Sequence, residues 1–252
     1  MEAFFTAEAL VSLVTLTFME IILGIDNIVF ISIVAGKLPE DQQPRARSMG
    51  LLAALGFRVA LLMMIKWLVG LTAPLFTVPG LGLFEDFPVS FKDLILLAGG
   101  LFLIAKSITE MHHKLEGHED DETQTKTRSF MGVIAQIVVI DIVFSFDSIL
   151  TAVGLADQLG IMIAAVVISL GIMLVFAGRI SDFINKRPTM KMLALAFLIL
   201  IGFMLVLESL HQHIDKGYIY FAMAFSLAVE TLNARLRKRS EPVELHDLYP
   251  DK

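Results

Sequence analysis

Long apolar runs alternate with short polar segments along this chain. A run of roughly 18 or more mostly apolar residues is long enough to cross about 30 Å of hydrocarbon as a helix. The chain has seven candidate runs, which cover residues 10–35, 49–71, 91–111, 130–155, 161–180, 192–210 and 218–232. The last, with 15 residues, falls short of this length. The pattern predicts an all-α fold, a polytopic membrane helical bundle with seven transmembrane helices. The seventh run is the weakest, because it is short and contains Glu230.

The polar connections are too short to form a separate core. Prolines, glycines and charged residues mark them as turns and loops. We therefore predict one transmembrane domain over residues 1–236 and a short tail over residues 237–252.

The basic residues of the connections are distributed unequally between the two sides of the membrane. One side holds Lys37, Arg45, Arg47, Lys114, Lys126, Arg128, Arg179, Lys186, Arg187, Lys191, Arg235, Arg237, Lys238 and Arg239. The other side holds Lys92 and Lys216. Because positive residues accumulate on the cytoplasmic side, the N-terminus is predicted outside and the C-terminus in the cytoplasm.

An acidic motif occurs twice. Glu20-Ile-Ile-Leu-Gly-Ile-Asp26-Asn27 in the first run matches Asp141-Ile-Val-Phe-Ser-Phe-Asp147-Ser148 in the fourth, acid for acid at the same spacing. A second match links residues 100–107 in the third run with residues 202–209 in the sixth.

These matches predict two three-helix repeats, about 8–111 and about 130–211, with an extra helix at about 218–236. Because three spans is an odd number, the two copies are expected in opposite orientations. This inverted-repeat plan is typical of many secondary transporters.

Composition supports a membrane protein and excludes several functions. Hydrophobic residues make up 56% of the chain and charged residues 18%, whereas soluble domains hold about 25% charged residues. A net charge of -6 argues against binding nucleic acid. The absence of cysteine removes thiolate sites and disulfides. No phosphate-binding loop and no hydrolase motif is found, so we do not expect an enzyme.

The repeated acids need a compensating partner in the bilayer. Each ionised side chain at the bilayer centre costs about 2.5–3.5 kcal/mol, and four cost on the order of 10 kcal/mol. An all-oxygen set that suits Mn²⁺, Mg²⁺ or Ca²⁺ would offset this cost. Its predicted members are Glu20, Asp26, Asn27, Asp141, Asp147 and Ser148. Alternatively, the carboxylates are neutral, or they pair with Arg58, Lys66 or Lys106 and hold helices together.

Two further hypotheses concern the same region. Gly24 and Ser145 lie at equivalent positions between the acids and both tolerate unwinding, so we expect a broken helix in each repeat. Arg58 is a candidate for a charge that gates the site or competes with the cation, but it could equally snorkel or pair with Asp147.

Histidines and acids are concentrated in the loop over residues 111–122. They could sense or collect metal on the cytoplasmic side. The alternative is a solvated charged loop.

The paired motifs, together with the run of residues 191–202, resemble the TerC family of bacterial integral membrane proteins over roughly residues 8–236. The resemblance implies a member of the LysE-like transporter superfamily in the cytoplasmic (inner) membrane. Some family members are associated with tellurium resistance and others with manganese export.

The leading hypothesis is therefore a secondary transporter that exports a divalent cation, with Mn²⁺ first, by alternating access and with no prosthetic group. The alternatives are a factor for membrane-protein biogenesis or metalation, or an exporter of a small organic solute. Besides the lipid bilayer and the metal ion, the expected partners are a second copy of the chain or the secretion machinery.

Overall fold

The chain is predominantly helical. The computed structural model describes residues 7–79, 87–115, 129–153, 159–212 and 214–237, except for the side chains of residues 114, 147 and 150–153. The helices in these residues are α1 (Ala7–Ala35), α2 (Gln43–Met63), α3 (Ile65–Gly70), α4 (Phe91–Leu115), α5 (Phe130–Val153), α6 (Leu159–Asn185), α7 (Pro188–Ser209) and α8 (Lys216–Arg237). The strands are β1 (Pro74–Val78) and β2 (Phe87–Ser90).

Five of these helices are long and apolar enough to cross a membrane: α1, α2, α4, α6 and α7. They confirm the first, second, third, fifth and sixth predicted spans as span-length helices. In α5, the side chains are described without a gap over Phe130–Phe146, and this part is apolar. The spans predicted at α5 and α8 therefore stay predictions.

Two local expectations differ from the structure. The second predicted span, over residues 49–71, divides at Met64 into α2 and α3. The prolines and glycines after it are not all loop, because β1 and β2 pair as an antiparallel hairpin. The predicted helical class is confirmed, and this hairpin is a short addition to it. β1, Leu-Phe-Thr-Val after Pro74, is rich in aromatic and β-branched residues, which favour strands.

The predicted breaks in the motif-bearing helices are also wrong. α1 is continuous over 29 residues and α5 over 24. Gly24 faces a side chain of α6, so its missing Cβ serves close packing. The Ser145 hydroxyl donates to Asp141, a residue of its own helix. Neither residue frees the backbone of its helix.

The long helices pack in two sets. α1 packs against α6 and α5, while α2 packs against α5 and α6. α4 runs along α7, and their backbones approach closely at Gly100 and Gly202. A Cβ built on Gly100 would lie 2.6 Å from the Gly202 carbonyl oxygen, and one on Gly202 would lie 2.8 Å from that of Gly100. Small residues at such a crossing permit the tight packing that holds helices together in lipid.

A continuous apolar cluster lies beside the first half of α1. It combines buried residues of α1, α2, α3, α5 and α6. Its members are Ala9, Leu16, Leu62, Leu68, Phe146, Ile149, Ile161, Met162, Ala165 and Val166. Apolar side chains therefore fill this end of the bundle.

A capping box starts α4. The N–H and hydroxyl of Ser90 donate to Asp93 Oδ2 at 2.8 and 2.7 Å, and the Asp93 N–H donates to Ser90 Oγ at 3.2 Å. The same carboxylate oxygen lies 3.2 Å from Nε2 of His211, just after α7. His211 stacks on Phe87 with 4.6 Å between ring centroids. These contacts join the start of α4 to the end of α7.

The second compact unit begins at Asp215. In it, α8 carries Phe221 and Phe225, whose rings stack with centroids 6.5 Å apart. The predicted division into one domain and a tail stays a prediction.

Candidate cation site

Arg58 of α2 joins the first acids of the two motifs. Its Nη1 donates to Glu20 Oε2 at 2.5 Å, and its Nη2 donates to Asp141 Oδ1 at 2.9 Å. Its Nε donates to the Ser145 hydroxyl at 2.9 Å. Arg58, Glu20 and Asp141 are 5%, 4% and 5% exposed, so the guanidinium does not snorkel to a surface.

Asn27 completes this buried group. Its Nδ2 donates to Asp141 Oδ1 at 2.8 Å, while Asp141 Oδ2 accepts from Ser145 at 3.1 Å. Within the described part of the chain, the buried Oδ1 of Asn27 has no hydrogen-bond partner. Because buried oxygens nearly always have one, this atom is an acceptor available to a ligand.

Helical geometry explains which motif residues meet. Residues seven apart on a helix lie about 20° apart around its axis, and residues six apart about 120°. Glu20 and Asn27 therefore share one face of α1, which meets Asp141 of α5. Asp26 is also buried, at 5% exposure, but it lies on another face.

The other predicted site residues lie elsewhere or outside the description. The Ser148 hydroxyl donates to the Ser145 carbonyl of its own helix at 3.2 Å. The side chain of Asp147 lies outside the described residues. Among the residues that are described, no group of three His, Asp or Glu side chains is placed to hold a metal ion. Arg58 takes the position between Glu20 and Asp141 that a cation would need.

The remaining candidates lie apart from this group. Lys66 is exposed, and Glu208 pairs with Lys92 at 3.6 Å. The first part of the histidine-rich segment belongs to α4, whereas residues 116–122 lie outside the described part of the chain.

Two contacts escaped the reasoning from sequence. Ser145 was considered only as a possible helix break, yet its hydroxyl bonds both Arg58 and Asp141. Met173 of α6 lies against Gly24, where a built Cβ would be 2.2 Å from the methionine sulfur. A signal for the second contact exists in the sequence, since Leu-Gly-Phe-Arg at 55–58 and Leu-Gly-Ile-Met at 170–173 place Arg58 and Met173 at matching positions.

A buried, charged group set among span-length apolar helices defines an integral membrane protein with a polar centre. The family model of the integral membrane protein TerC family matches residues 5–243. The chain belongs to this family.

Similar proteins are described as inner membrane proteins. The chain is 52% identical to the UPF0053 inner membrane protein YgdQ of Escherichia coli (strain K12), over 94% of this chain and 96% of that protein. It is also 52% identical to a UPF0053 protein of Haemophilus influenzae, over 92% of this chain and 95% of the relative. The UPF0053 inner membrane protein YoaE of Escherichia coli (strain K12) is 47% identical over 90% of this chain, which spans 43% of that longer protein. No solved structure matches the chain significantly.

Proposed function

We propose that this protein is a secondary transporter that exports a divalent metal cation, with Mn²⁺ as the preferred substrate. The observation that carries the proposal is the meeting of Glu20 and Asp141, the matching first acids of the two motifs, around one buried guanidinium. Membrane proteins keep intramembrane charges where ions or protons pass.

The packing supports an inverted repeat. Exchanging the two proposed repeats pairs α1 with α5, α2 with α6 and α4 with α7. Under this exchange the α1–α6 contact corresponds to the α2–α5 contact, and the α4–α7 contact corresponds to itself. Gly100 and Gly202, which match in sequence, lie against each other. These correspondences are expected if a pseudo-twofold axis relates the two halves.

Burial repeats in α2 and α6 as well. Each buried position of α2 has a buried counterpart at the matching position of α6. The pairs are Ala46 with Ile161, Gly50 with Ala165, Leu51 with Val166, Ala54 with Ser169, Arg58 with Met173, and Leu62 with Ala177. The α2/α6 pair thus matches in the same way as the α1/α5 and α4/α7 pairs, whose sequences match.

The two ends of the bundle differ in polarity. The apolar cluster beside the first half of α1 offers an ion no ligand. At the other end, Asn185 Nδ2 lies 3.4 Å from the Ser32 carbonyl and 3.2 Å from the Ser181 hydroxyl, to which Arg47 donates at 2.9 Å. If the N-terminus lies outside, as the sequence predicts, the polar groups are on the cytoplasmic side, and the apolar end is what a state closed toward the outside requires.

Arg58 acts in this proposal as a tethered cation. It pairs with both acids while no metal is bound and releases them when a divalent ion binds. A proton or another cation moving inward would supply the energy for export. The guanidinium keeps the empty site stable, because unpaired buried carboxylates are costly.

Transport of Mn²⁺ by the purified full chain in liposomes tests the proposal. We expect Mn²⁺ flux driven by an ion gradient, and loss of flux in Glu20→Gln and Asp141→Asn. Glu8→Gln is the matched control, because Glu8 is exposed on the same helix as Glu20. If the wild-type chain moves no Mn²⁺ under any imposed gradient, the proposal is wrong.

A further inference from the structure

The sulfur of Met173 occupies a notch in α1. A Cβ built on Gly24 would lie 2.2 Å from Met173 Sδ and 3.0 Å from its terminal methyl carbon. Met173 is 3% exposed. Any side chain larger than hydrogen at position 24 would therefore displace the thioether, so Gly24 is the residue that admits it.

The notch lies on the face of α1 that forms the acidic site. Glu20, Gly24 and Asn27 follow one another at spacings of four and three residues, which places them on one stripe of a helix. The thioether is therefore flanked by Glu20 one turn before and by Asn27 one turn after.

Asn27 provides independent evidence of an unfilled ligand position on the same face of α1. The residue is 5% exposed, and its Nδ2 is committed to Asp141. Within the described residues its Oδ1 is buried without a hydrogen-bond partner. Leaving such an acceptor unsatisfied destabilises the folded state, and a bound cation would remove that cost.

The two repeats place different side chains against the acidic motifs. On α2, Arg58 bonds to Ser145, whereas on α6 the matching Met173 packs on Gly24, the counterpart of Ser145. One half of the centre thus holds the guanidinium of Arg58. The other half presents a thioether and an open amide oxygen.

We propose that Met173 is the specificity-determining residue of the transporter, and that its thioether and Asn27 Oδ1 form the half of the site that receives the cation. This inference rests on the proposed function. The oxygen ligands of the site suit Mn²⁺, Mg²⁺ and Ca²⁺ alike, whereas a thioether is a soft, weak ligand that the harder ions Mg²⁺ and Ca²⁺ accept least. The sulfur would favour a transition-metal dication such as Mn²⁺ over the more abundant Mg²⁺ and Ca²⁺.

The test is competition during transport by the full chain in liposomes. The readout is the concentration of Mg²⁺ or Ca²⁺ that halves Mn²⁺ flux, for the wild type and for Met173→Leu. Leucine nearly conserves volume, so the fold should tolerate it. We expect the preference for Mn²⁺ to fall about tenfold, equivalent to about 1.4 kcal/mol.

A second variant, on α1, changes the position of the Met173 sulfur without changing Met173 itself. Gly24→Ala should push the flexible thioether aside and lower the preference in the same direction while keeping every ligand oxygen. The matched controls are Gly171→Ala, on the helix of Met173 with nothing within 4 Å of its built Cβ, and Met190→Leu, a buried methionine of α7. Both controls should keep the wild-type preference.

The outcomes separate this inference from the proposed function. If the wild type moves Mn²⁺ but Met173→Leu and Gly24→Ala keep its preference within twofold, Met173 has no role in selectivity and the transporter proposal stands. If both controls lower the preference as much, the effect belongs to general packing and the inference fails. A wild-type chain that moves no Mn²⁺ overturns both.

Discussion

Replacing Arg58 by methionine should strongly destabilise the protein. Methionine is unbranched, fills much of the volume of the arginine stem, and stands at the matching position of α6. The substitution removes three hydrogen bonds, to Glu20, Asp141 and Ser145. It leaves two buried carboxylates without their shared cation.

The expected loss of stability follows from the number of buried carboxylates left without an ion-pair partner. Removing one partner of a buried ion pair costs about 3–5 kcal/mol, and Arg58 is shared by two acids, so the upper part of this range applies. For a chain of this size, a loss of about 4–5 kcal/mol lowers the melting temperature by about 8–20 °C. Adding Glu20→Gln and Asp141→Asn should recover most of it, because replacing all charged members of a buried group by neutral ones is often close to neutral.

The measurement is thermal unfolding in a mild detergent, followed by circular dichroism, for the single and triple variants. Arg47→Met is the matched control on the same helix, since Arg47 Nη1 donates to a hydroxyl, that of Ser181. We expect its effect to be below about 1.5 kcal/mol. If Arg58→Met melts within about 2 °C of the wild type, a loss below about 1 kcal/mol, and the triple variant is no more stable, the guanidinium does not pair with these acids.

Three further predictions concern helix packing and helix ends. Gly100→Ala should destabilise the α4–α7 pair by about 1–3 kcal/mol, because its Cβ would press on the Gly202 carbonyl oxygen. The control is Gly178→Ala, which should have no such effect, because nothing lies within 4 Å of its built Cβ. Equal melting temperatures for the two variants would contradict the close crossing. Ser90→Ala should lower the free energy of unfolding by about 1 kcal/mol through loss of the α4 cap. If the two residues act as one capping box, Asp93→Ala should destabilise the Ser90→Ala variant less than it destabilises the wild type. His211 has a φ of 59°, a backbone conformation that β-branched residues adopt poorly. His211→Val should therefore be less stable than His211→Asn in the same unfolding assay. If the valine variant is the more stable one, residue 211 does not have a positive φ.

Sequence periodicity predicted the span-length helices because a membrane requires long uninterrupted apolar runs. The repeated acids also predicted that α1 and α5 carry a shared centre, and the structure brings Glu20, Asn27 and Asp141 together there. The hairpin of β1 and β2 was missed because short strands next to proline give little periodic signal. The predicted helix breaks failed because glycine serves two purposes in membrane helices, and only a neighbouring side chain such as Met173 tells close packing from unwinding.

The role of Arg58 could not be settled from sequence for a related reason. A lone arginine in an apolar run has several partners within reach of its long side chain, and its choice depends on the rotation of α2 relative to α1 and α5. The repeat of Leu-Gly at 55–56 and 170–171 aligns α2 with α6 in sequence. Once the two helices are aligned on it, Arg58 and Met173 face the same centre from opposite halves.

This asymmetry explains how one centre could both bind and release a divalent ion. If two halves of equal charge surrounded the acids without Arg58, a divalent cation would be held by every carboxylate and would leave slowly. Transport requires binding that is strong enough for entry and weak enough for exit. A tethered guanidinium reaches its acids at a high effective concentration, so in the proposed transporter it would compete with the ion and re-form both ion pairs after release. On this argument, Arg58→Met with its acids retained should bind Mn²⁺ more tightly than the wild type while exporting it more slowly. Weaker binding together with slower export would assign Arg58 to scaffolding alone.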